Sequence, residues 1–183
     1  MNYLLLPVSR FVEDMGRRVI PSPAAGSSLA LSLAMGCSLL ELLVAEMVDK
    51  KTVPADCRPA EDLVQLQKWR RCGERLIDAD IRAVETMVRN PEALSDPEWL
   101  KPMLELVRVA EQAAELALTY LPVHSAKQSD TLVAFLHFRT AYWGGCQIII
   151  ANTDTFNLPC PVSSDWSERV DKWDRALNRC MGG

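Results

Sequence analysis

The sequence predicts an all-α fold: an antiparallel bundle of five to six helices that pairs as a homodimer. Three observations carry this. Apolar residues recur at helical spacing through most long segments. No two alternating runs exist that would pair as strands. Two stretches, one from Ser27 or Ser28 to about Asp49 and one from about Thr131 to Asn152, are apolar nearly all round. A small bundle has few fully enclosed positions, so one such helix is expected in a subunit interface; the alternative is that both are central in a monomer. At 183 residues the chain is long enough for one well-formed core, and residues 1–183 are read as a single helical domain.

In chain order, Ser9 to Gly16 forms a short helix, capped by Ser9, with Val8, Phe11, Val12 and Met15 on one side. Pro21 and Pro23 hold the next linker extended. The first long helix is capped at Ser27 or Ser28. Ala30, Ala34 and Ser38 lie four apart on it, a small-residue stripe that admits a close neighbour. After the polar loop "KKTVPADCRPAED", a third helix runs from about Ala60 to Arg89. Leu63, Leu66, Trp69, Leu76, Ile77, Val84, Met87 and Val88 form its apolar stripe. Pro91 and Pro97 interrupt. A fourth helix extends to about Leu121, with Trp99, Met103, Val107, Ala110, Ala114 and Ala117 in register. A fifth is capped by Ser129 or Asp130. A sixth, from Trp166 to about Cys180, aligns Trp166, Val170, Trp173 and Leu177.

The composition is 49% hydrophobic and 24% charged with a net charge of -4, so it carries no basic stripe for nucleic acid. The start lacks the basic region and long apolar run of a secretory signal. The uncharged run from Ser27 to Leu40 falls short of the roughly 20 residues of a membrane span, and Glu41 and Glu46 interrupt the remainder, so this segment reads as a core helix. The six cysteines form no CxxC pair, and the two histidines, His124 and His137, stand apart; no metal site is expected. Cys37, Cys72 and Cys146 read as reduced thiols of a cytoplasmic protein.

Three places stand out chemically. Asp80, in "RLIDADIRAV", comes four residues after Leu76 and four before Val84, which places a carboxylate on the apolar stripe. Asp78 projects about 200° away around the helix. A core-facing carboxylate is either paired with an arginine from a facing helix or poised by desolvation for proton transfer, and the sequence leaves both open. Asp130 sits where a helix cap belongs. The turn "SPAAGSS" precedes a helix start, where backbone N–H groups are available to a polar ligand, though it has neither the glycines nor the lysine of a phosphate loop. His137 reads as a satisfied core histidine.

Taken in order, "SRFVEDMGRRVIPSPAAGSSLALSLAMGCSLLELLVAEMV", "LIDADIRAV" and "SDTLVAFLHFRTAYWGGCQIIIAN" resemble one family over nearly the whole chain. It is the formimino-tetrahydrofolate cyclodeaminase and methenyl-tetrahydrofolate cyclohydrolase family, the C-terminal domain of formimidoyltransferase-cyclodeaminase. The resemblance implies a dimeric helical fold with a folate cleft, acting on the bridge carbon of methenyl- or formimino-tetrahydrofolate. It implies no cofactor beyond the tetrahydrofolate substrate and no metal. Under it, Asp80 is the proton-transfer residue. Gly26, Ser27 and Ser28 line the cleft, Asp130 orients the pterin, and Asp78, Ser129 and Asn152 are further binding positions. Lys50, Lys51 or Lys127 would meet the glutamate tail.

The chain departs from the family pattern at sensitive positions. Where the family has three consecutive glycines, this sequence has Ala24, Ala25 and Gly26, so any position needing a positive φ or close ligand approach would be strained or blocked. Ile148 stands in place of an asparagine, while Asn152 keeps the second. Three readings result: an active folate enzyme, a divergent paralogue that binds a folate-like ligand without turnover, or a helical dimer scaffold.

Overall fold

The computed structural model describes residues 3–50, 57–90, 97–122 and 128–181. Every regular element among them is helical. The α-helices are α1 (Val8–Met15), α2 (Ala25–Lys50), α3 (Pro59–Arg89), α4 (Lys101–Tyr120), α5 (Gln128–Thr155) and α6 (Trp166–Met181), with 3-10 turns at Tyr3–Leu5 and Pro97–Leu100. The β-branched run at Ile148 to Ile150 is helical, as the lack of a partner strand requires.

Helices α2, α3, α4 and α5 form the body. α2 and α3 run antiparallel: Gly73 faces Ala30 and Ala34, and Arg70 Nε donates to Glu41 Oε1 at 3.0 Å one turn beyond. The small-residue stripe explains their approach. A Cβ on Gly73 would lie 3.0 Å from both Ala30 O and Ala34 N. Ala30 and Ala34 are buried, whereas Ser38 is exposed, so the stripe faces α3 only over its first turns. On its other side α2 meets α5, also antiparallel, with Leu29 against Gly144 and Phe138 against Gly36. α4 closes the body. Its Glu105 accepts from Arg75 at 2.6 Å, and its Tyr120, wholly buried, donates to Asp62 at 2.5 Å. Trp173 of α6 is fully buried, packs edge-on to Phe135 and Tyr142, and donates Nε1 to Glu115 at 2.7 Å.

α2 has the length and mean hydropathy, 1.9 over an 18-residue window, of a membrane span. Leu33, Cys37, Leu40 and Val44 are nevertheless enclosed by neighbouring helices, which is the environment of a core helix.

Several predicted details are corrected. α1 starts at Val8 behind Pro7, with no side-chain cap at Ser9. Its inward face is Phe11 and Asp14; Val8 and Val12 point to solvent. Burying Asp14 is offset by Arg10 and Arg17, at 3.2 and 3.0 Å. α2 begins at Ala25, so Ser27 and Ser28 lie inside its first turn. Val88 is exposed in the last turn of α3. α5 begins at Gln128, which puts Ser129 and Asp130 in its first helical turn. Lys51, Lys127 and His124 lie outside the described residues.

The α2–α3 contact yields a test. Gly73→Ala gains about 1 kcal/mol of helix propensity but forces a methyl against buried backbone, which costs about 1–3 kcal/mol. The urea midpoint of the variant is therefore expected to fall. A rise would mean the two helices separate freely.

Candidate functional site

At the end of the body where α2 begins and α5 ends, the structure leaves a cleft of about 160 Å³. Residues of α3 separated by three and four, Asp80, Ala83, Val84 and Met87, present one helix face to it. Trp99, Leu100 and Met103 form the opposite wall, Ile148 and Asn152 one turn apart on α5 form another, and Ala24, Ala25 and Gly26 close it. Only Asp80 among these lining residues is ionisable.

Asp80 is 7% exposed. Its carboxylate rests directly over Gly26: a Cβ there would lie 2.2 Å from Oδ1 and 2.8 Å from Oδ2. This glycine is needed for close approach, not for a left-handed backbone. Neither Ala24 nor Ala25 has positive φ, so the condition for backbone strain there is not met. The carboxylate accepts hydrogen bonds from the Ser27 backbone N–H and hydroxyl. Ser27 is itself fully buried; its Oγ accepts from the Ala24 N–H at 2.8 Å and lies 3.1 Å from Ala24 O. Its single proton serves either Ala24 O or Asp80. Ser28 is turned back to Ala25 O at 2.7 Å.

No ion pair reaches Asp80 among the described residues, and no neighbouring charge acts on it. The arginine partner left open by the sequence is therefore absent from its surroundings there. Burial pushes its carboxyl up to about 6, against the opposing pull of the two Ser27 hydrogen bonds. Such a group changes protonation near neutral pH and can accept or donate a proton there.

Of the predicted site residues, the structure gathers Gly26, Asp80 and Asn152 at the cleft. Ser27 stands behind Asp80, and neither it nor Ser28 lines the space. Asp78 is turned away and accepts the Tyr3 N–H at 3.1 Å. Ser129 and Asp130 begin α5, and Asp130 lies about 33 Å along the helix from Asn152 at 1.5 Å per residue. Lys50 is similarly remote, about 36 Å from Gly26 along α2, and it pairs with Glu46. His137 is half-buried on α5, with Nδ1 2.8 Å from Ser32 Oγ and its pKa lowered by burial. Of the departures from the family pattern, Ala24, Ala25 and Ile148 lie on the cleft wall. Sequence reasoning missed Trp99, Leu100 and Met103 as cleft residues, having placed Trp99 and Met103 in the α4 core register. Trp99 packs edge-on to Phe156 at 5.5 Å, and its Nε1 has no acceptor among the described residues. Ala83, Val84 and Met87 were legible in principle, since they share the helix face of Asp80.

Fold and site together define an antiparallel helical protein with one buried acid on the wall of an otherwise apolar cleft. Among solved structures, the fold is similar to that of formiminotetrahydrofolate cyclodeaminase from Thermotoga maritima. The TM-score is 0.69 at 16% identity, covering 98% of this chain and 93% of that one. At that identity the match establishes a shared fold. No family model and no curated protein matches the chain.

The raised pKa carries a stability consequence. The folded state holds the Asp80 proton more tightly than the unfolded chain does, so ionisation opposes folding as pH rises from about 4 to 6. Above pH 6 that penalty is complete, at about 3 kcal/mol. Asp80→Asn removes it while keeping an acceptor for the Ser27 N–H. The variant is expected to unfold at higher urea than the wild type at pH 8 and at similar urea at pH 4. A loss of stability at pH 8 would contradict the unpaired, desolvated state of Asp80.

Proposed function

We propose that the chain is a folate one-carbon enzyme acting on the bridge carbon of methenyl- or formimino-tetrahydrofolate, as a cyclohydrolase or a cyclodeaminase. The observation that carries this is Asp80, a buried carboxyl on a cleft wall whose burial pushes it up to about 6, in a fold shared with a formiminotetrahydrofolate cyclodeaminase. In the hydrolytic direction, ionised Asp80 takes a proton from water as its oxygen bonds to the bridge carbon. It then returns the proton to the nitrogen whose bond to that carbon breaks, and the remaining hydroxyl proton leaves to solvent as the formyl C=O forms. In the deaminating direction, the secondary amine beside the aryl group closes on the formimino carbon and gives up its proton, and that proton and the one from protonated Asp80 pass to the nitrogen that departs as ammonia. Gly26 and Asn152 would contact the ligand, and Ser27 would hold Asp80. The reading needs no metal or further cofactor. The free thiols, Cys37 and Cys146 among them, accord with a cytoplasmic setting.

The same reading includes a homodimer. Met35 and Leu42 on α2, and Val133, Leu136 and Trp143 on α5, are each 42–48% exposed. They border the seam where Ser32 meets His137, and the charge nearest them on α5, Arg139, is paired with Asp174 of α6. A large apolar surface of this kind is buried in stable self-association. Light scattering is expected to give twice the chain mass, and the chain mass for Leu42→Lys with Trp143→Glu. A monomeric wild type would remove the dimer from the proposal.

A second reading is favoured by Ala24, Ala25 and Ile148, which clothe the cleft in methyl groups. It is a non-catalytic paralogue that binds a folate-like ligand. The decay of methenyl-tetrahydrofolate absorbance separates the two. Acceleration by the wild type, reduced at least ~100-fold in Asp80→Asn, supports the cyclohydrolase. No acceleration above buffer sinks that activity; ammonia release from formimino-tetrahydrofolate then supports the cyclodeaminase. Thermal stabilisation by folate without either turnover supports the binder.

A further inference from the structure

The cleft specifies its ligand more narrowly than the fold does. Asp80 faces Ser27 from α2, Trp99 from the 3-10 turn before α4, Met103 from α4, and Ile148 and Asn152 from α5; none of these titrates. A carboxylate accepts about four hydrogen bonds, and Ser27 supplies at most two, its hydroxyl being shared with Ala24 O. A buried carboxylate with acceptor capacity left and no countercharge is unfavourable until a cationic donor joins it. The rest of the wall is apolar apart from Asn152. Its volume, about 160 Å³, matches the roughly 150 Å³ of an engineered cavity that holds benzene.

We propose that this cleft is a selective site for a planar, ring-sized amidinium cation, with the N–H groups of the amidinium on Asp80 and its ring against Met103, Ile148 and Val84. The inference deepens the folate reading, because the bridge carbon lies between two nitrogens as an amidinium in methenyl-tetrahydrofolate and in protonated formimino-tetrahydrofolate. It rests on the cleft alone and does not require turnover. The cation is the countercharge that Asp80 lacks, so its binding and the deprotonation of Asp80 favour one another.

Benzamidine, benzamide and benzoate share one ring and differ in charge, so they are the probes. Calorimetry on the full chain at pH 5 and pH 8 is expected to show benzamidine binding about tenfold more tightly at pH 8, as Asp80 goes from mostly protonated to ionised. Benzamide is expected to bind at least tenfold more weakly at pH 8, and benzoate not at all. Asp80→Asn should abolish both the preference for benzamidine and its pH dependence. Ile148→Trp, which fills the cleft and leaves Asp80 in place, should abolish binding; circular dichroism verifies that each variant is folded. Equal binding of benzamide or benzoate, no binding of benzamidine at pH 8, or retained selectivity in folded Asp80→Asn would each overturn the proposal. Folate turnover without benzamidine selectivity would overturn this inference and leave the enzyme reading standing; selectivity without turnover would do the reverse.

Discussion

The structure depends on how closely α2 and α3 approach. Gly26, Ala30 and Ala34 lie four residues apart along α2 and present almost no side chain to α3. At Gly73 the gap closes to backbone against backbone. At Gly26, two turns from Ala34, the same groove receives the Asp80 carboxylate instead. One row of small residues thus both joins the core helices and seats the acid. A methyl group at position 26 would occupy the place of that acid.

The electrostatics derive from this seat. Asp80 is held against the first turn of α2, where a free amide and the positive end of the helix dipole favour its charge. Burial beneath α4 and α5 disfavours it more strongly, and the balance falls near neutral pH. The surrounding wall is what prevents compensation. Other acids here find arginines, as Glu41 does with Arg70 and Asp174 with Arg139, but among the described residues none is placed to reach Asp80. Stability is given up at one position, and the result is a carboxyl free to meet a ligand.

Much of this was legible in the chain. The helices and their antiparallel order come from apolar spacing and proline breaks, and the α2 stripe predicted close packing because small residues leave no other use for a helix face. Asp80 was legible because it interrupts the sequence Leu76, Ile77, Val84. Asp78, Ser129 and Asp130, which the resemblance implies as binding positions, lie away from this cleft: Asp78 is on another face of α3, and Ser129 and Asp130 are at the far end of α5, tens of ångströms along the helix from Asn152. Trp99 and Met103 carried no signal at all: a cleft wall and a core face have the same apolar spacing, and only the packing of α4 distinguishes them. Ala24 and Ala25 line the cleft and have no positive φ, so of the two conditions the sequence raised only close ligand approach bears on them.

The decisive property of the site is that Asp80 is a desolvated carboxyl without a countercharge. Its titration can be followed directly by the carbon-13 shift of the Asp80 side-chain carboxyl, assigned by comparison with Asp80→Asn. A midpoint near pH 6 is expected in the ligand-free protein. A midpoint at or below pH 4 would show a carboxylate already solvated or paired, and would contradict the desolvated, unpaired state.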